Sequence, residues 1–85
     1  MNKYTAFVLM KVTIGKLPEV SKELLAIEEI KELYMVTGEF DLLAILEVDK
    51  YDQLGEIIVE KIHKIKNIER TQTLMAFKTY RYFLG

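Results

Sequence analysis

Apolar residues along this chain fall in blocks whose spacing alternates between the strand period and the helix period. Tyr4 to Val12 is almost wholly apolar and rich in β-formers, which predicts a first strand. Thr13 to Leu17 reads as a loop, and Pro18 suits the first position of a helix, where its missing N–H costs nothing. Glu19 adds an anion in the first turn, and Val20, Leu24, Ile27 and Ile30 continue at helical spacing. Lys31 to Thr37 and Asp41 to Val48 predict a second and a third strand. Asp49 is the expected N-cap of a second helix, with Asp52 in a capping-box-like position. That helix presents Leu54, Ile58, Ile62 and Ile65 on one face. Gly55 lies inside it at a cost of about 1 kcal/mol against alanine, which suggests a close packing contact. Lys66-Asn67 ends the helix, Ile68 to Lys78 predicts a fourth strand, and Thr79 to Gly85 is a short aromatic tail.

The resulting order, β-α-β-β-α-β, is that of an α+β, ferredoxin-like fold. Right-handed crossovers place both helices on one face of a four-stranded antiparallel sheet. Such a sheet should alternate apolar and polar residues, and here it does not. Ala6, Val8 and Met10 point one way and Phe7 and Leu9 the other, while Leu42, Ala44 and Leu46 oppose Leu43 and Ile45. Two helices cover one face only, and soluble monomers rarely expose a large apolar patch. The expected occupant of the second face is the same face of another copy, in a two-fold dimer. The alternative is the C-terminal tail folded back, but Thr79 to Gly85 is too short to cover four strands.

Composition narrows the picture. With 85 residues and 10.0 kDa, the chain is expected to be one domain, residues 1–85. A chain of this size buries about 64% of its unfolded surface, enough for one small core that association would reinforce. Hydrophobic residues make up 51% and charged residues 29%, which fits a soluble globular domain and argues against disorder. A net charge of -1 and a pI near 5.8 argue against direct nucleic-acid binding. No signal peptide or long uncharged apolar run is visible, so the expected location is cytoplasmic, without membrane contact. The absence of cysteine removes disulfides, thiolate metal sites and a cysteine nucleophile. The bias to Glu, Lys and Ile is thermophile-like.

Candidate chemistry is sparse. Gly38 and Asp41 sit in the turn between the middle strands, and the pair reads either as an ordinary hairpin or as a site for an amine-bearing molecule. Thr71 and Thr73, two apart, share a strand face and are suited to a carboxylate, although threonine is also a plain β-former. Glu60 and His63 have the Glu-x-x-His spacing of di-metal bundles, but a single histidine and two helices leave a solvated helix face as the better reading. Tyr80, Tyr82 and Phe83 fit an oligomer contact better than base stacking. No phosphate loop, nucleophile elbow or catalytic triad is present, so the chain is read as a non-enzyme with no metal and no cofactor.

Val36-Thr37-Gly38-Glu39-Phe40-Asp41-Leu42-Leu43 resembles the hallmark turn of the effector-binding (RAM) domain of Lrp/AsnC transcription regulators. Ile65-Lys66-Asn67-Ile68-Glu69-Arg70-Thr71-Gln72-Thr73-Leu74 resembles the entry to that domain's last strand, with Asn67 where the family usually has glycine. Asparagine tolerates left-handed angles, so the turn should survive. The resemblance runs from Tyr4 to about Lys78 and implies a stand-alone RAM module without the helix-turn-helix domain. It implies dimers formed through the sheets (a dimeric α+β barrel), rings of eight or ten chains, and an amino acid effector held between dimers. Carried over, Gly38, Glu39 and Phe40 present backbone groups to the ligand and Asp41 meets its α-ammonium. Thr71 and Thr73 offer hydroxyls to its carboxylate from a neighbouring chain, and Arg70, Leu33 and Met35 are further lining residues. Full-length Lrp/AsnC regulators are the implied protein partners. Two alternatives stay open: a purely structural oligomerisation module, and a small barrel enzyme, which the aliphatic inter-sheet face argues against.

Overall fold

The structure is a computed structural model that describes residues 3–76. Strand β1 spans Tyr4–Val12, α1 Leu17–Leu25, β2 Ile30–Met35, β3 Leu42–Val48, α2 Tyr51–Glu56 and β4 Ile68–Met75. The four strands form one antiparallel sheet in the order β2-β3-β1-β4. This is the ferredoxin-like arrangement expected from the apolar pattern.

The core lies on one side of the sheet. Ala6, Val8, Met10 and Val12 of β1 and Leu42, Ala44, Leu46 and Val48 of β3 join Val20 and Leu24 of α1 and Leu54, Ile57 and Ile62 in one buried cluster. Residues directly opposite on neighbouring strands share a face, and Val8↔Ala44 and Met10↔Leu42 are such pairs. The alternate positions Phe7, Leu9, Leu43 and Ile45 therefore point away from the helices, where they are half-buried.

Several local expectations are corrected. Helix α1 ends at Leu25, so Ile27 lies in a turn and Ile30 opens β2. Both still pack on the core, so burial rather than helix continuity explains their apolar character. Pro18 occupies the second helical position behind Lys16 as N-cap. The second helix is capped at Lys50 rather than Asp49. The Gln53 side-chain oxygen accepts from the Lys50 and Asp49 N–H groups at 3.1 and 3.2 Å, while the Asp49 carboxylate pairs with Lys3 at 3.3 Å.

After Glu56 this helix widens into a π-helical continuation, Ile57–Ile62. The His63 N–H donates to the Ile58 carbonyl, five residues back, at 2.8 Å. Leu54 of α2 and Ile57 and Ile62 of the wider segment are buried, while Ile58 and Ile65 are only half-buried. Gly55 is exposed, and a Cβ there would meet nothing within 4 Å, so close packing does not account for it. Strand β4 is assigned to Met75, and the Ala76 N–H then donates to the Thr5 carbonyl at 3.0 Å. The predicted extension to Lys78 and the aromatic tail with Tyr80, Tyr82 and Phe83 lie outside the described residues.

Candidate functional site

The turn between β2 and β3 is closed by one hydrogen bond of its own and fastened to β1 by two more. The Val36 N–H donates to the Asp41 carbonyl and the Asp41 N–H to the Met10 carbonyl, each at 2.9 Å. The Asp41 carboxylate then accepts from the Val12 N–H through Oδ2 at 2.8 Å. Asp41 immediately precedes β3, so its side chain serves the β1 donor that the β3 ladder no longer reaches. Lys11 Nζ lies 3.7 Å from the same oxygen. Gly38 makes the bend at φ 114°, and a Cβ there would meet nothing within 4 Å. Its requirement is backbone angle, which L side chains rarely adopt, and not space.

The rest of the turn reaches across to β4. The Arg70 guanidinium sits over the Phe40 ring, 5.0 Å from its centroid, and 4.0 Å from Glu39 Oε1. Arg70 pairs across the sheet with Lys11, which places both with Asp41 at one end of the helix-free face. The cation–π contact orients Arg70, while the exposed ion pair to Glu39 adds little energy.

Thr71 and Thr73 lie on the other side. They stand opposite Met10 and Val8, both wholly buried beneath the helices, so both hydroxyls belong to the helix face at the outer edge of β4. Thr71 Oγ1 is 3.3 Å from His63 Nε2, and a cleft of about 230 Å³ is lined by His63, Ile68, Glu69, Arg70 and Thr71. Met35 and Leu33 share that face through their partners Leu42 and Ala44, but on β2, the opposite edge of the sheet. Met35 is 73% exposed. With strands about 4.8 Å apart, Met35 and the threonines are separated by roughly 14 Å. Within one chain, the turn residues and the threonines are thus divided by the sheet.

Lys11 and His63 are the contributors that sequence reasoning did not assign. Lys11 is the only charged position in the β1 run, a signal visible in the pattern. His63 follows the π turn, which no periodicity announces; Glu60 pairs with Lys64 at 3.2 Å on an exposed face. Ahead of β4, Asn67 holds φ 74°, the left-handed conformation expected of glycine's substitute, and its carbonyl accepts from the Thr13 N–H at 2.8 Å.

The helix-free face carries Phe7, Leu9, Leu43 and Ile45, flanked by Leu74 opposite Phe7 and Tyr34 opposite Leu43. No helix among the described residues lies on it. On its β2 side the Tyr34 hydroxyl donates to Glu32, whose hydrogen bond and charge push the phenol above its ordinary range. Elsewhere, Lys61 donates to both Glu29 oxygens at 3.0 and 3.1 Å and holds that carboxyl below its usual range. No helix among the described residues is long and apolar enough to cross a membrane.

The sheet order, the fastened glycine turn and the left-handed residue before β4 define a ferredoxin-like domain of the RAM type. The profile of the Lrp/AsnC ligand binding domain matches residues 5–83, and the chain belongs to that family. It is 34% identical over 76 residues to the HTH-type transcriptional regulator FL11 of Pyrococcus abyssi, covering 89% of this chain and 50% of the regulator. The chain thus spans about half the length of the curated relatives it matches. The crystal structure of FFRP-DM1 superposes with a TM-score of 0.83 at 44% identity, covering 87% of this chain and 99% of that one. Transcriptional regulator NMB0573 of Neisseria meningitidis, described as a complex with L-Met, shares the fold at a TM-score of 0.78 and 14% identity, over 93% of this chain and 53% of its own.

Proposed function

We propose that the chain is an amino-acid-sensing and oligomerisation module of the Lrp/AsnC type, which binds a small amino acid effector between sheet-paired dimers. The observation that carries this reading is the fastened turn: Gly38 at φ 114° and Asp41 held by the Val12 N–H, in a chain of a ligand-binding-domain family. The turn offers backbone groups at Gly38, Glu39 and Phe40 and a carboxylate whose Oδ2 is already engaged. The effector's ammonium falls to the other oxygen, a charge-assisted hydrogen bond. Its carboxylate falls to Thr71 and Thr73 of a neighbouring copy, because the sheet separates them from Asp41 in their own chain. Arg70 and Met35 line the path. A site completed by a second copy links ligand binding to assembly, since each stabilises the state the other needs.

The apolar helix-free face supports pairing through the sheets, and the module then acts on full-length Lrp/AsnC regulators in the cytoplasm by joining their assemblies. The relatives are transcription regulators, and the reading assigns no enzyme activity to this chain. The engagement of Asp41 Oδ2 inside the fold favours one competing reading, an assembly module without a ligand.

Calorimetry with each of the twenty amino acids, on the wild type and on Asp41→Asn, tests the proposal. The asparagine keeps an acceptor for the Val12 N–H and removes the charge. The expected result is binding of at least one amino acid by the wild type, weakened about tenfold or more in the variant. No binding of any of the twenty at millimolar concentration sinks the sensing role and leaves the assembly reading.

A further inference from the structure

We infer that His63 is a positioning residue of the carboxylate half of this site, setting the direction of the Thr71 hydroxyl and making carboxylate binding stronger as pH falls. The inference rests on the sensing role proposed above and adds a residue and a regulation to it. Three features converge in the cleft between the end of the π-helical segment and the start of β4. His63 Nε2 is 3.3 Å from Thr71 Oγ1, both line a cleft of about 230 Å³, and both are accessible from outside it. That volume falls short of the roughly 300 Å³ at which drug-sized pockets begin, so it suits a charged head group rather than a whole larger ligand.

The chemistry follows from the proton inventory. A threonine hydroxyl has one hydrogen to donate. Neutral imidazole with its proton on Nδ1 accepts that hydrogen, and Thr71 then has none left for a ligand carboxylate; with its proton on Nε2 it donates to Thr71 but brings no charge to the anion. Imidazolium only donates. It gives its Nε2 hydrogen to Thr71 Oγ1, turns the hydroxyl hydrogen outward, and adds a positive charge beside the incoming anion. The imidazolium arrangement is reached by adding one proton to the ring, so acid favours it.

Charged groups from each neighbouring element bear on the same cleft. From β4, Glu69 lines it and works against an anion, while Arg70 lines it with its guanidinium turned toward Phe40 and Glu39. From the helix and the turn after it, Glu60 and Lys64 neutralise each other at 3.2 Å. The π turn gives a structural reason for the placement: the His63 N–H closes the last wide turn at 2.8 Å, which fixes the backbone from which the ring reaches β4.

The chain's single histidine gives one set of ring signals, so its titration can be followed by NMR without assignment ambiguity. The probes are sodium acetate, against sodium chloride at equal ionic strength, and L-methionine. Acetate is expected to raise the titration midpoint of His63 in the wild type and to leave it unmoved in Thr71→Val, which keeps the shape and lacks the hydroxyl. Calorimetry with L-methionine is expected to show binding about three- to tenfold tighter near pH 5.5 than near pH 8, a dependence lost in His63→Gln, whose amide is a neutral donor at both pH values. An acetate-independent midpoint overturns the inference, whether or not amino acids bind. Binding of L-methionine with equal affinity at both pH values also overturns it and leaves the sensing role intact. If no amino acid binds but acetate still raises the midpoint, the sensing role fails and the carboxylate subsite stands.

Discussion

The β2–β3 turn and the outer edge of β4 carry the two halves of the candidate site, and they are built in opposite ways. The turn is finished within the chain: one hydrogen bond closes it and two more, one of them to a carboxylate, hold it to β1, all within 2.9 Å. The threonines on β4 stand at a sheet edge, with Thr71 meeting one imidazole nitrogen and Thr73 exposed. The turn faces the helix-free side of the sheet and the threonines the helix side. The proposed sensing role therefore needs a second copy: a fastened half and an open half lie on opposite sides of one sheet, and a turn from one copy would have to face a threonine edge from another.

Substitutions can break this contrast. The largest effect is expected at Asp41→Ala, which leaves the Val12 N–H without its acceptor at a half-buried position. Chemical denaturation should show a loss of about 1–3 kcal/mol, with Asp41→Asn losing much less. Gly38→Ala should cost about 1–2 kcal/mol, because the backbone there must keep a positive φ. Gly55 sharpens the point as a glycine without such a need: it is exposed and uncrowded, and Gly55→Ala should gain up to about 1 kcal/mol. The smallest change in stability, within about 0.5 kcal/mol, is expected for Thr71→Val and Thr73→Val. Those two variants should nonetheless lose effector binding in calorimetry. A stability loss at Thr71 as large as that at Asp41 would erase the distinction between the two regions.

Much of the frame was legible before any coordinates. The almost wholly apolar run from Tyr4 to Val12 is β1, and the two-sided apolar pattern of β1 and β3 anticipated a core on one face and an apolar second face that no helix among the described residues covers. Asn67 in place of glycine foretold the left-handed turn it makes. Local spacing misled where two elements share one rhythm. Ile27 and Ile30 continue the period of α1 by position, yet they serve a turn and a strand. Asp49 has the chemistry of a cap, but Gln53 reaches back to do that work. The π segment sets the buried Ile57 and Ile62 five residues apart, a step that leaves no mark in a 3.6-residue pattern.

The site was legible as a set of residues and not as a geometry. Asp41 and the Val12 N–H are 29 residues apart, so their bond depends on strand register that spacing alone does not specify. The same register decides that Thr71 stands opposite Met10, on the far side of the sheet from Lys11 and Arg70. His63 was set aside as part of a solvated helix face, and its nearness to Thr71 follows from how the π-helical segment ends beside β4.

The most direct test is complementation between chains. Asp41→Asn and Thr71→Val are each expected to lose amino acid binding when assembled alone. Mixed in equal amounts, unfolded and refolded together, they should recover about a quarter of the wild-type sites, since random pairing reunites an intact turn with an intact threonine edge at that frequency. Recovery of that order is the predicted result. A mixture that binds no better than its two components would contradict a site shared between copies.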